Sequence, residues 1–385
     1  MSTEEQQQPV AALVLGGLGF IGRHYVKYLL DYGLATHIRV VDKVVASMAY
    51  LNREFLEIMN SPAVEYVQAN LAVDDHVDRA FAPSEAIPMP FQFVVNLAAE
   101  TKCGKPEAVY NLNISQLREK CAAKAAAHGV QKYIDVSTAQ VYAGKDKPAK
   151  EGDKPDPWTL AGKAHLRAEQ ALPHISGLDY CVLRLPYVYG PGDQNGLMPR
   201  IAVAAVYAYS REKMELLWGD DLRLHTVHVQ DVAAALYHLI CSGTKGEVYN
   251  LVDNNDTTQG KLCKTLQAVF SGLQVGYIGS LKSFAATNMQ LDDLVDAAND
   301  GHFSHWDELC KAGGINYTPL APWLEKELLY HNHVALDGSK IAATGFECSC
   351  PAPTAELLLD EIQYWVGLEK FPAMSVIAEG STATS

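Results

Sequence analysis

Gly16, Gly19 and Gly22 fall at three-residue intervals, and an acid, Asp42, stands twenty residues beyond the last of them. Residues of these types at this spacing can hold the diphosphate and ribose of a dinucleotide. Gly16 permits a tight turn, Gly19 lets the backbone come close to a pyrophosphate, and Gly22 lets a helix pack against a strand. Asp42 can accept hydrogen bonds from the ribose hydroxyls of NAD and would repel the 2′-phosphate of NADP. Lys43, next in the chain, could offset part of that repulsion. NAD is the expected cofactor and NADP the lesser alternative.

A glycine triplet alone is a weak signal, so the elements around it decide its meaning. Ala11 to Leu15 is a short apolar run closed by glycine, which fits a buried parallel strand. Phe20, Tyr25, Tyr28 and Leu29 recur at helical spacing until Gly33. His37 to Val41 is a second strand, ending at Asp42. The triplet therefore bridges a strand and the N-terminus of a helix, whose free N–H groups and partial positive charge favour phosphate. Further along, FQFVVNLAAE (91–100), KYIDVSTAQVYAG (132–144) and LDYCVLRLPYVYGPGD (178–193) read as apolar strands running into polar loops. The stretch from 106 to 130 reads as one long helix ended by Gly129. Strands alternating with helices imply an α/β fold, a doubly wound parallel (Rossmann) sheet. Ligands bind such a sheet at the carboxyl ends of its strands, where Ala98, Ala99, Thr138 and Tyr187 fall.

Bulk composition narrows the partners. The chain has 385 residues, 48% hydrophobic and 20% charged, as expected of a globular protein with a large core. A net charge of −14 without a Lys/Arg cluster argues against nucleic acid. No apolar run is long enough to cross a bilayer, and IAVAAVYAY at 201–209 is too short. The opening MSTEEQQQPV has neither the apolar run of a signal peptide nor the basic character of a transit peptide, so a cytoplasmic location is expected. Eight scattered cysteines suggest reduced thiols. Cys348-Ser-Cys350 lacks the second pair that zinc requires, and His302 with His305 and His331 with His333 read as ordinary histidines. No metal site is expected.

The glycine spacing, with the strands and helices downstream of it, resembles the extended short-chain dehydrogenase/reductase family, the group of nucleotide-sugar epimerases and dehydratases. The likeness covers residues 11 to about 252, with a weaker echo near 337–365. It implies a Rossmann domain over 10–185 and a smaller mixed substrate-type domain over 186–372, of which 216–253 would complete the Rossmann half. It also implies that Phe20, Ile21 and Pro186 line the cofactor, that Asn70 and Leu71 flank the adenine, and that Leu97, Ala98 and Ala99 line the ribose and phosphates. Asn113 corresponds to a structural asparagine on the long helix. The likeness fades over 281–330, an atypical insert rich in aromatic and acidic residues. Two or three short helices are expected there, either capping the substrate cleft or facing a partner. Asp231, before an Ala-rich helix, reads as an N-cap or salt-bridge residue.

The family places a Tyr-x-x-x-Lys pair on the helix within DPWTLAGKAHLRAEQAL, residues 156–172. Here Ala161 stands at the tyrosine position and His165 at the lysine position, with Ala168 and Glu169 matching the end of the motif. Residues four apart share a helix face. The tyrosine serves the family as acid or base, and alanine has no proton to give. A positioned acid–base group contributes about 10² to 10⁴ in rate, so the ordinary route should be crippled. His165 could still bond the nicotinamide ribose, and Lys163 points elsewhere. Tyr209 and Lys213 repeat the spacing on what reads as a surface helix. Tyr142 matches a structural tyrosine of the family. Thr138 is kept and would bond a substrate hydroxyl or carbonyl, but Ala139 and Gln140 replace the Asp-Glu that dehydratases use. Tyr187 replaces an asparagine that holds the nucleotide sugar, and Leu224 replaces a diphosphate-gripping arginine, with Arg223 one residue early. Two readings stay open. One is an NAD-dependent oxidoreductase or isomerase with an altered acid–base set, using His165, Tyr142 or a water held by Thr138 on an unknown small-molecule substrate. The other is a non-catalytic NAD-binding scaffold with a protein partner or as a homodimer.

Overall fold

The computed structural model describes residues 10–279, 291–323 and 325–380. Strand β1 (Ala11–Leu15) is buried throughout, as its unbroken apolar run requires of a strand covered on both faces. Its side chains alternate. Ala12 and Val14 join Ile38, Val40, Val95 and Ile134 in one apolar cluster, whereas Ala11, Leu13 and Leu15 join Val94, Tyr133 and Val182 in another. The two clusters are the two faces of one sheet.

That sheet comprises β1, β2 (His37–Asp42), β3 (Val64–Gln68), β4 (Phe93–Asn96), β5 (Lys132–Thr138), β6 (Tyr180–Leu185) and β10 (Val248–Asn250). The seven strands run in the order β10-β6-β5-β4-β1-β2-β3. Every pairing is parallel. The chain winds outward one way from β1 through β2 to β3, then returns to lay β4 on the other side. The crevice between β1 and β4 is thus the topological switch point where ligands bind. Two smaller parallel pairs join β7 (Tyr187–Tyr189) to β9 (Thr226–His228), and β8 (Lys213–Leu216) to β11 (Gln274–Tyr277).

Helix α1 (Phe20–Asp31) follows β1, with α2 (Arg53–Met59) and α3 (Asp74–Phe81) on the way to β3 and β4. The helix expected over 106–130 is not uniform. It starts as α4 (Glu107–Tyr110), widens into a π turn over Asn111–Gln116, and resumes as α5 (Leu117–Ala127). A π turn takes up an extra residue and rotates the helix beyond it, a feature frequent near functional sites. Here Arg118, just past it, is fully buried. Helix α6 (Leu160–Ala171) comes next after β5.

Several expectations need correction. Asp231 does not cap its helix. His228 does, accepting from the Gln230 N–H, while Asp231 accepts from the backbone of Ser349 and Cys350 and from the Ser349 hydroxyl. Tyr209 and Lys213 do not share a surface helix. Arg211, with φ at 62°, ends the helix Met198–Ser210 between them, Tyr209 is buried and Lys213 begins β8. Among the described residues of the insert, the helix Leu291–Ala312 runs over 22 residues rather than being short, and a 3₁₀ turn, Lys326–Leu329, follows it. The expectations for 281–290 lie outside the described residues. The helix Ala355–Gly367 closes the fold on the Gly190–Asp193 loop, with the Trp365 indole donating to the Asp193 carbonyl at 2.9 Å. No helix among the described residues is long and apolar enough to cross a membrane.

Candidate functional site

Each glycine of the triplet is held to a different degree by its surroundings. Gly16 has φ at +77°, and a Cβ there would stand 2.8 Å from the Ala98 nitrogen, so β1 and β4 meet through it. A Cβ on Gly22 would lie 2.5 Å from the Gly16 oxygen and 2.6 Å from the Gly17 Cα. At Gly19 the nearest atom is the Gly16 oxygen at 3.1 Å, with nothing else within 4 Å. Chain packing thus requires the first and third glycines, whereas at the second a Cβ would crowd only one backbone oxygen. Helix α1 starts there with no side-chain cap and no acid in its first turn, leaving its N-terminal N–H groups for an anion. Phe20 and Ile21 form that first turn and are partly exposed.

Asp42 closes β2 beside this loop. Its carboxylate accepts from the Leu18 N–H at 3.2 Å and the Val44 N–H at 3.0 Å, which fixes its orientation and leaves lone pairs for ribose hydroxyls. Burial pushes its pKa up, opposed by those hydrogen bonds. Lys43 leans on Glu100 at 3.9 Å, a weak restraint on an exposed side chain. Asn70 and Leu71 follow β3, the first exposed and turned onto the Ala72 N–H at 3.1 Å, the second buried. Leu97, Ala98 and Ala99 follow β4, and Pro186 stands between β6 and β7. Asn113 sits in the π turn with its amide donating to the Val109 carbonyl at 3.0 Å. Apart from Asn113, these residues gather along the carboxyl ends of adjacent strands.

The other end of the row lies at β5 and α6. Thr138 ends β5, its hydroxyl accepting from the Gln140 N–H at 3.2 Å. The Gln140 side chain accepts from Thr159 at 2.7 Å, and Thr159 in turn caps α6 through the Gly162 N–H at 2.9 Å. A Cβ on Gly162 would stand 2.5 Å from the Gln140 oxygen, so a glycine not singled out in the sequence seats α6 on the end of β5. Ala161 then packs in an apolar cluster with Tyr110, Ile114, Ala164, Leu160 and Ala99.

His165, one turn on, is part-exposed, but its Nδ1 is buried without a partner among the described residues. Burial, with Arg118 nearby, pushes its pKa well below the usual histidine range, so the ring is neutral. The cation beneath it is Arg118, whose Nη1 meets the Asp135 carboxylate at 2.8 Å in a fully buried pair. Burial raises Asp135 to about 6 in spite of that arginine. Arg118 Nε, Asp135 Oδ2 and Ser137 Oγ are also buried without partners among the described residues. Sequence reasoning missed Arg118, whose partner Asp135 lies on a different element, β5, 17 positions along the chain. Tyr142 is committed elsewhere, accepting from Arg184 at 2.6 Å and donating to Asn250 at 2.9 Å, with Arg184 also held by Glu169 at 2.5 Å. Its hydroxyl is thus engaged on both sides by side chains of β6 and β10.

In the substrate half, Leu224 is buried, and Arg223 is paired with Asp146 at 2.6 Å and with Asp256. Neither offers a free cation to a diphosphate. Arg200 stacks over the Tyr187 ring, 4.7 Å from its centroid. The insert supplies an acid that sequence spacing could not reveal, since Glu327 is far along the chain: its Oε1 accepts from the Leu160 N–H at 2.7 Å. Among the described residues no group of three or more His, Cys, Asp or Glu is placed to hold a metal ion.

Comparison with known proteins agrees with this layout. Residues 12–251 match the model of the NAD dependent epimerase/dehydratase family. A dTDP-glucose 4,6-dehydratase of Streptomyces niveus is 25% identical over 265 residues, 66% of this chain and 76% of that protein. The fold matches a dTDP-glucose 4,6-dehydratase from Streptomyces venezuelae solved with NAD bound, with a TM-score of 0.66 at 18% identity over 93% of this chain and 97% of that one. It also matches a UDP-glucuronic acid 4-epimerase from Bacillus cereus solved with NAD, with a TM-score of 0.66 at 17% identity over 93% of this chain and 100% of that one.

Proposed function

The chain belongs to the NAD-dependent epimerase/dehydratase family, and from that premise we propose that it binds NAD across Gly16–Gly22 and Asp42 but lacks the family's usual route for oxidising a nucleotide sugar. Support for the first half is Gly19, where a Cβ would meet the Gly16 oxygen at 3.1 Å and no other atom within 4 Å, next to an uncapped helix N-terminus and an oriented carboxylate. Asp42 favours NAD over NADP, because a second negative charge would sit beside a half-buried carboxylate.

What NAD supplies when bound is a hydride acceptor; the chain's own residues decide whether the accompanying proton has anywhere to go. The single observation that carries the second half is Ala161, packed among apolar side chains where an acid–base group is needed. Thr138 can orient a hydroxyl but is not a base at neutral pH. His165 is held neutral with Nδ1 buried, so it does not supply the cation that a lysine would. Arg118 provides positive charge nearby, but its pairing with Asp135 already offsets it.

The test has two readouts on one preparation. Calorimetric titration is expected to give micromolar or tighter NAD binding, weaker for NADP. The same protein with NAD is then incubated with dTDP-glucose, UDP-glucose and UDP-galactose, and products are separated by chromatography. No epimer or 4-keto sugar above the protein-free control is expected. Sustained turnover that His165→Ala abolishes would overturn the proposal and make the histidine a working catalyst.

A further inference from the structure

The insert does not stand apart from the site. Residues 325–333 run along the loops that follow β4 and β5 and the N-terminus of α6, meeting the rest of the chain at four places. Glu325 comes first, lying over the loop after β4, where a Cβ on Gly104 would meet its Oε2 at 3.3 Å. Glu327 accepts from the Leu160 N–H at 2.7 Å, the first amide of α6, directly before Ala161. The Leu329 carbonyl accepts from the Trp218 indole at 2.8 Å, and the His331 ring stacks on the same indole with centroids 4.6 Å apart. Last, the His333 N–H donates to the Gly144 carbonyl at 2.8 Å, and the Val334 N–H continues onto the Arg223 carbonyl at 3.0 Å. A Cβ on Gly144 would stand 2.7 Å from Asn332, so the crossing is also close-packed.

Charge places Glu327 within this crossing. Its carboxylate caps a helix of twelve residues at the positive end of the dipole. Burial, and then the fields of Glu325 and Glu327, push the Cys103 thiol up to about 12. Glu327 also acts on Tyr110, which packs with Ala161. The carboxylate therefore stands at the N-terminus of α6, one residue before Ala161, close enough to Tyr110 and Cys103 for its field to act on both.

We propose that Glu327 is a specificity-determining residue: with the strap 325–333 it fills the sugar end of the cleft from within the chain, so that a nucleotide sugar is excluded while NAD is admitted. This rests on the reading that NAD occupies the glycine-loop end. Thr159 takes the Gly162 N–H and Glu327 the Leu160 N–H, so the strap itself supplies part of the cap of the helix that carries Ala161 and His165.

The experiment compares wild type, Glu327→Gln and Glu327→Ala, each loaded with NAD, by calorimetric titration with dTDP and with dTDP-glucose. Glutamine keeps an oxygen acceptor of the same reach and should retain exclusion. Alanine should raise affinity for dTDP-glucose at least tenfold, leave NAD affinity unchanged, and speed amide exchange at Leu160. Trp218→Phe removes the anchor to Leu329 by a different contact and should give a gain in the same direction, which keeps the test usable if Glu327→Ala folds poorly. Equal dTDP-glucose affinity in all four proteins would overturn the proposal. So would a wild-type turnover of dTDP-glucose that Glu327→Gln abolishes, since Glu327 would then be a working base. Failure of NAD to bind would count against the cofactor reading alone, because the dTDP-glucose affinities can still be compared without it.

Discussion

Gly19→Val and Gly22→Ala separate contact with a ligand from packing within the chain. At Gly22 an added Cβ would lie 2.5 Å and 2.6 Å from backbone atoms of Gly16 and Gly17, which no rotamer change relieves. Overpacking of that kind costs about 1–3 kcal/mol. At Gly19 the only contact is the Gly16 oxygen at 3.1 Å, and the backbone is extended with φ at −63°, which valine adopts without strain. Losing glycine at this helix-capping position should cost no more than about 1 kcal/mol. A ligand present at 100 times its dissociation constant stabilises the fold by roughly 2.7 kcal/mol. Thermal melts with and without NAD read both effects. Gly22→Ala should melt several degrees below wild type before any ligand is added. Gly19→Val should melt near wild type yet show no NAD-dependent rise. A Gly19→Val protein that keeps the full rise would place the pyrophosphate elsewhere and refute the reasoning.

Three further outcomes are expected from the same geometry. Asp42→Ser, which removes the oriented carboxylate, should weaken NAD about tenfold and narrow the preference over NADP, measured by parallel titrations. Arg118→Met should destabilise by about 3–5 kcal/mol, because it strands the buried Asp135 carboxylate. Arg118→Met combined with Asp135→Leu should recover most of that loss in denaturant unfolding. Burial raises the Asp253 pKa to about 6 against its hydrogen bonds from Thr226 and Asn255. A folded pKa above the unfolded one means that this group's contribution is complete below about pH 4 and fades as pH rises through 6. Asp253→Asn should therefore gain on wild type by on the order of 2 kcal/mol between pH 4 and pH 7; a flat difference curve would contradict the shift.

The cofactor half was legible because its constraints are local. Short apolar runs closed by turn residues placed β1, β2, β4, β5 and β6. Gly16 and Gly22 make the tight turn and the close helix packing their spacing implies, and Asp42 stands at the end of β2 beside that turn. The other end depends on contacts between segments far apart in the chain, which spacing cannot register. Arg118 is buried against Asp135 just past a π turn over Asn111–Gln116, and nothing in the residue types of that stretch predicts the turn. Tyr209 looked exposed because its helical repeat was carried past Arg211, where the helix in fact ends in a left-handed residue. Asp231 looked like a cap, yet the distant Ser349–Cys350 loop occupies it. Glu327 meets Leu160 across 167 positions of chain. Ala161 and His165 could be singled out from the sequence; the approach of residues 325–333 to the helix that carries them could not.

The most direct test of the central claim is hydride transfer itself, watched as the reduced-nicotinamide absorbance band in a single turnover. Protein saturated with NAD is mixed with excess dTDP-glucose or UDP-galactose, and the band is recorded without any requirement for product release. A protein that binds NAD but has no group at position 161 to take the hydroxyl proton should give no band above the ligand-free control, in wild type and in His165→Ala alike. A band approaching one equivalent per bound NAD in the wild type would contradict the account.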